Sequence, residues 1–205
     1  MPCPTLLRPA VIVLASGLFL AGCVTPTRST KGTESFLAEA PMGWETHAEG
    51  ERFTLEALEA VTEKDAELAS RVPQDIERWC PEYESASIEE RRAFWVGLMS
   101  AVAKYESRWT PEVVGGGGRY IGLMQISPVT ARGSGCDATT AAELKDGGDN
   151  LACAVQIFAG KVADDGLVAG SGNRGLGRDW GPFRKRAVLD KMAAWTSEQP
   201  YCNAG

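Results

Sequence analysis

A mainly α-helical single domain, with room for a small β element, is the fold class this chain predicts. Three observations carry that expectation. Two stretches repeat apolar residues at helical spacing: Trp95, Leu98, Met99 and Val102 in one, and Leu151, Ala154, Val155, Phe158 and Val162 in the other. Strict apolar–polar alternation, the mark of a half-buried strand, is scarce. Glycine gathers between the helical stretches, at 115–118 and again within 164–178, and glycine-rich segments read as loops.

The elements follow in order. Arg8 is the only charged residue before Cys23, and an apolar run from Val11 to Leu20 comes after it. That run falls short of the roughly 20 apolar residues a membrane span needs. It exits through Ala21 and Gly22, so residues 1–22 read as an export signal. Residues 23–50 read as a flexible tether, because Pro26, Ser29, Gly32, Pro41, Gly43 and Gly50 leave little apolar surface to bury. Phe36 and Trp44 are the side chains there that could dock on the domain, which spans 51–205. A first helix is expected over 54–71, with Leu55, Leu58, Val61 and Leu68 near one face and Pro73 as its stop. A short segment from Gln74 to Cys80 ends at Pro81. Ser87 and Glu90 then form a capping-box pattern that opens the helix carrying Trp95, which should run a little past Trp109 to Pro111. Residues 113–121 read as a loop, and Pro128 as the first residue of a short helix. Asn150 reads as the N-cap of the next long helix. An irregular glycine-rich segment and a last helix over about 182–195 complete the chain.

At 44% hydrophobic residues, the 205-residue chain can build one core, and its net charge of -6 gives no footprint for nucleic acid. Cysteine use agrees with export. Cys3 leaves with the signal, and four thiols remain in the domain: Cys80, Cys136, Cys153 and Cys202. Four cysteines in an exported domain usually make two disulfides. Three pairings are possible. Cys136–Cys153 closes a short loop and Cys80–Cys202 ties the chain end to the start of the domain, so this pairing is preferred. With no CxxC pair and no nearby histidine, no metal or other cofactor is expected.

Glu106 is the chemically informative residue. It lies four residues after Val102 and eleven after Trp95, so it continues the buried stripe. Desolvation disfavours a charged carboxylate and raises its pKa, as a general acid requires. A buried glutamate can also be structural, paired to a cation, and the stripe alone does not separate the two. His47 is the only histidine and falls in the tether segment. The domain therefore cannot assemble a histidine-ligated zinc, a Cys–His pair or a Ser-His-Asp triad, the usual tools for hydrolysing peptide bonds.

Motifs sharpen this. Ala101-Val102-Ala103-Lys104-Tyr105-Glu106-Ser107-Arg108-Trp109 resembles the "ES" motif of the SLT-type lytic transglycosylases. Gly122-Leu123-Met124-Gln125-Ile126-Ser127-Pro128 resembles their "GLMQ" motif, and Asn150-Leu151 a third, in the same order and spacing. The likeness spans about 88–190 and implies a lysozyme-like, goose-type/SLT fold. It implies that Glu106 is the catalytic acid, that Ser107 orients Glu106 or substrate, and that Met124 and Gln125 line the glycan cleft. Tyr120 and Trp180 are further expected substrate-binding residues. The implied reaction is peptidoglycan cleavage after N-acetylmuramic acid with closure of a 1,6-anhydro ring. The chain departs from the family twice. Where many members carry Gly-Ala just ahead of GLMQ, it reads Arg119-Tyr120-Ile121. Where many carry Ala-Tyr-Asn-Ala-Gly, it reads Asp179-Trp180-Gly181-Pro182-Phe183-Arg184.

Leu20-Ala21-Gly22-Cys23 resembles a bacterial lipobox. That resemblance implies lipid on Cys23 and attachment to the cell envelope, at the outer membrane facing the periplasm. Two further functions stay open in the sequence. One is a goose-type lysozyme-like muramidase, which needs a second carboxylate from among Glu112, Asp137, Asp146, Asp149 and Asp179. The other is a non-catalytic peptidoglycan-binding lipoprotein. An enzyme that opens the wall locally for an envelope-assembly partner fits as well.

Overall fold

The computed structural model describes residues 40–171 and 173–203. The signal segment 1–22, Cys23 and Phe36 lie outside the described residues. Helices dominate: α1 (Gly50–Glu63), α2 (Ile76–Trp79), α3 (Ile88–Glu106), α4 (Pro128–Gly133), α5 (Gly147–Asp165) and α6 (Arg186–Ser197). Two antiparallel hairpins complete the fold, β1 (Val114–Gly115) with β2 (Tyr120–Ile121) and β3 (Ala169–Gly170) with β4 (Arg174–Gly175).

The centre of the molecule is α3. Its capping box forms as the sequence predicts: Ser87 Oγ accepts the Glu90 N–H at 3.3 Å, and the Glu90 carboxylate accepts the Ser87 N–H at 2.6 Å. Every residue from Ala93 to Ala103 is buried, not one face alone. The expected stripe was too narrow because α1, α6 and the final turn Pro200–Cys202 surround this helix. The helix also stops earlier than Pro111 requires. It ends at Glu106, and Arg108 and Trp109 then take φ of 55° and 63°. Left-handed backbone at a non-glycine costs of order 1 kcal/mol per residue. The Trp109 indole N–H offsets part of that cost by donating to the Ser100 carbonyl at 2.9 Å.

Four boundaries differ from expectation for identifiable reasons. The tether does not extend to residue 50. Ala40, Met42 and Trp44 are buried in the core, and the Trp44 indole N–H donates to Thr54 Oγ1 at 2.8 Å. Composition missed this because a few large side chains among prolines and glycines suffice to fix a segment. The first helix is α1, shifted forward and shorter than 54–71. Phe53, Ala57 and Val61 carry its buried face, while Leu55 is 46% exposed. Beyond Lys64 the chain folds into turns that put Leu68 and Ala69 under the Tyr83 hydroxyl, and Arg92 grips both oxygens of Asp65. Asp146, not Asn150, caps α5: its Oδ1 accepts the Gly148 and Asp149 N–H groups at 2.9 and 3.1 Å. Gly147 allows this start, since a Cβ there would strike the Phe53 ring of α1. The last helix begins after a 3-10 turn at Gly181–Arg184, because Lys185 is extended.

Both disulfides are present, Cys80–Cys202 and Cys136–Cys153, with Cα separations of 4.7 and 5.0 Å. The first closes the domain's ends together. The second pins the segment after α4 onto α5.

Candidate active site

Glu106 ends α3 at the floor of an open cleft of about 490 Å³. The β1–β2 hairpin forms one side with Gly116 and Tyr120, Gln125 stands beside it, and the loop from Asp179 to Lys185 forms the other. The hairpin turns back through the glycine run between its strands. The next bend needs Gly122, whose φ is +82° and whose missing Cβ leaves room for the Leu144 carbonyl and the Asn150 amide.

Asn150 holds this arrangement. It is fully buried inside α5, and its side chain ties three segments together. Oδ1 accepts the Met124 N–H at 2.8 Å, and Nδ2 donates to the carbonyls of Ile121 (3.0 Å) and Leu144 (2.8 Å). A buried polar side chain with this many partners is specific to one backbone path. It fixes the turn that carries Gln125, whose φ is +48°. The Gln125 amide donates to the carbonyls of Val113 (3.0 Å) and Gly122 (2.9 Å), bracing the hairpin base while the residue lines the cleft.

Of the sequence-predicted residues, Glu106, Tyr120, Gln125 and Trp180 come together around the cleft. Ser107 and Met124 do not. The Ser107 hydroxyl is buried and donates to the Ala103 carbonyl at 3.3 Å, closing the helix end. The Met124 side chain is fully buried in the core. Both stand beside a residue that faces the cleft, and adjacency in a motif gave no information on direction. Trp180 is only 3% exposed. It stacks edge-on against Phe158 and donates its indole N–H to the Met124 carbonyl at 2.9 Å, yet it lines the cleft wall. It is a core tryptophan and a cleft wall at once.

Tyr105, Asp179, Arg184 and Lys185 complete the cleft and were not singled out as binding residues from sequence. The run Arg184-Lys185-Arg186 after a glycine-rich loop was the available signal. Burial pushes the Glu106 carboxyl above the ordinary glutamate range, and the charges of Lys185 and then Arg184 pull it back in part. Arg184 is oriented by the carbonyls of Gly177 (2.8 Å) and Arg178 (3.2 Å). Among the five carboxylates considered as a second catalytic group, Asp179 alone lines this cleft, and Lys161 pairs with it at 3.6 Å. Asp146 caps α5, and Asp137 and Asp149 line grooves away from Glu106.

The arrangement is that of a helix-borne glutamate in a cleft between a small hairpin and a loop, suited to acid–base chemistry. The family model "Transglycosylase SLT domain" matches residues 85–193, and the chain belongs to that family. Family membership implies lytic transglycosylase activity and a peptidoglycan substrate. Among solved structures, the chain is similar to Bd0314 DslA, wild-type form 2, at 24% identity and a TM-score of 0.71, over 80% of this chain and 98% of that one. Two glutamate-to-glutamine mutants of the same protein match at TM-scores of 0.73 and 0.71 with 24% and 23% identity. They cover 80% of this chain and 98% and 97% of theirs. These likenesses establish the lysozyme-like fold. No curated protein matches the chain.

Proposed function

We propose that the protein is a peptidoglycan lytic transglycosylase that cleaves the bond between N-acetylmuramic acid and N-acetylglucosamine, with Glu106 as its general acid and then its general base. The observation that carries this is a half-buried Glu106, its pKa raised by desolvation, at the floor of the cleft of an SLT-family domain. Glu106 protonates the glycosidic oxygen as the bond breaks. The sugar's own acetamido oxygen stabilises the cationic carbon, an accepted alternative to a second carboxylate. Glu106, now a carboxylate, takes the proton from the C6 hydroxyl, whose oxygen closes the 1,6-anhydro ring. Tyr120 and Trp180 form the sugar-facing walls, and Gln125 keeps the hairpin in place. Arg184 and Lys185 keep Glu106 from rising too far to work as a base.

Asp179 is the specific feature that favours a second outcome, hydrolysis by a water it activates. Its pairing with Lys161 weighs against that role. Mass spectrometry of digested sacculi decides between them. Chains ending in 1,6-anhydro-N-acetylmuramic acid support the transglycosylase, and reducing ends alone assign a muramidase. The proposal extends to the N-terminus: cleavage before Cys23 and its lipidation would anchor the domain in the envelope, facing the glycan. Metabolic labelling with palmitate should be positive for the parent and negative for Cys23→Ser, and an unlabelled parent removes the anchor.

A further inference from the structure

The four glycines of the β1–β2 hairpin are not equivalent. Gly116, Gly117 and Gly118 all take positive φ, at 57°, 67° and 93°. A Cβ on Gly117 or Gly118 would meet nothing within 4 Å, so backbone conformation alone accounts for glycine at those two positions. Gly115 instead leaves room for the Gln125 side-chain oxygen. Gly116 has a neighbour of its own. A Cβ on it would come 2.5 Å from Cδ2 and 2.8 Å from Cε2 of Tyr120, so the tyrosine ring lies directly on the Gly116 backbone. Little else holds that ring. Tyr120 stands outside the hydrophobic core and is 41% exposed, and Arg119 is 5.9 Å from the ring centre, at the outer limit of a cation–π contact. Both Gly116 and Tyr120 line the Glu106 cleft. Trp180, the other aromatic wall, is almost wholly buried and commits its indole N–H to the Met124 carbonyl, so Tyr120 offers the freer ring surface. It lies in the stretch where this chain departs from the Gly-Ala that many relatives carry ahead of GLMQ.

We propose that Gly116 is a positioning residue that seats the Tyr120 ring as a fixed stacking platform, and that this pair sets the enzyme's affinity for the glycan strand. This rests on the glycan-strand reading of the cleft. The face of an aromatic ring is electron-rich, and the C–H groups on the apolar side of a pyranose ring are its natural partners. With the Gly116 backbone behind it, the ring is in place before the strand arrives, and binding spends little side-chain entropy on ordering it. A side chain at 116 would push the ring off this seat. An aromatic ring over a hairpin glycine can also serve hairpin stability alone. The two roles separate in kinetics, because a platform changes binding while a purely structural ring changes stability.

The test is steady-state cleavage of uncrosslinked peptidoglycan strands by the full chain, with KM and kcat read separately. Tyr120→Ala should raise KM about fivefold and leave kcat within about twofold, because a platform holds ground state and transition state alike. Gly116→Ala should raise KM by about the same factor. Gly117→Ala places alanine on nearly the same left-handed backbone, so it should lower the melting temperature about as much as Gly116→Ala while keeping the parental KM. In the Tyr120→Ala background, Gly116→Ala should add less than about twofold to KM, since the ring it displaces is gone. Tyr120→Phe, which keeps the ring, should recover most of the affinity. If Gly116→Ala does not fold, Tyr120→Ala should restore its folding, and failure to do so overturns the seat. A parental KM in Tyr120→Ala, a Gly117→Ala variant impaired like Gly116→Ala, or an undiminished effect of Gly116→Ala once Tyr120 is removed also overturns it. A parent that releases no muropeptides overturns the glycan reading and the platform with it. A parent that cleaves strands, with Tyr120→Ala its kinetic equal, leaves the glycan reading standing and removes the platform alone.

Discussion

Replacing Asn150 with alanine should cost about 3 kcal/mol, a large share of the stability of a domain this size. The figure comes from its three side-chain hydrogen bonds, at 2.8, 3.0 and 2.8 Å, each contributing roughly 1 kcal/mol net in typical mutational series. The true cost rises if the Met124 N–H is left unpaired, because an orphaned buried donor carries its full desolvation penalty. Asn150→Asp should be worse than alanine. Its second oxygen would face the Ile121 and Leu144 carbonyls, with a charge buried at a fully enclosed site. Urea unfolding followed by circular dichroism measures both variants. At about 2–4 °C per kcal/mol for a domain of this length, alanine should lower the melting temperature by about 6–12 °C. The turn from Gly122 to Gln125 would loosen, so sacculus cleavage should fall even where the domain remains folded. A loss below about 1 kcal/mol, or an aspartate variant as stable as the parent, would refute the role assigned to this side chain.

Burial raises Glu106 from an ordinary value of 4.5, so the folded chain keeps a proton that the unfolded chain has already lost. Its contribution is complete below that ordinary value and is lost as pH rises through the raised one; Glu106→Gln should therefore match the parent at about pH 4 and exceed its stability at about pH 8, and the opposite order would show that the site does not desolvate this carboxyl. The disulfides should differ in weight: with sequence separations of 122 and 17, losing Cys80–Cys202 should cost about 5 kcal/mol and losing Cys136–Cys153 about 3 kcal/mol, so paired serine variants unfolding in the reverse order would contradict the loop-closure account.

The legible parts of this chain were those governed by local rules. The Ser87 capping box, Pro128 at the first position of α4 and the two long helices followed from side chains acting within a few residues. So did the glycine-rich bend, though its two-residue strands carry too little alternation to register as strands. What escaped was set by distant partners. Trp44 joins the core because Thr54 and Phe53 receive it. Asn150 looked like a cap and is a buried brace, because Asp146 stands four residues earlier and three backbone groups from other segments converge on its amide. In the site, Glu106 and Gln125 were identifiable from motifs. Ser107 and Met124 were misplaced because a motif gives neighbours without directions, and Lys185 and Arg184 were passed over because only folding brings their charge to Glu106.

The most direct test of the account is cleavage of purified sacculi by Glu106→Gln beside the parent. The amide keeps the shape of the carboxyl and cannot donate the proton, and positioned general acids typically contribute 10²–10⁴-fold. The variant should release soluble muropeptides at least about 100-fold more slowly, with an unchanged circular dichroism spectrum. A folded variant that cleaves within about tenfold of the parent would show that the chemistry at this cleft does not belong to Glu106.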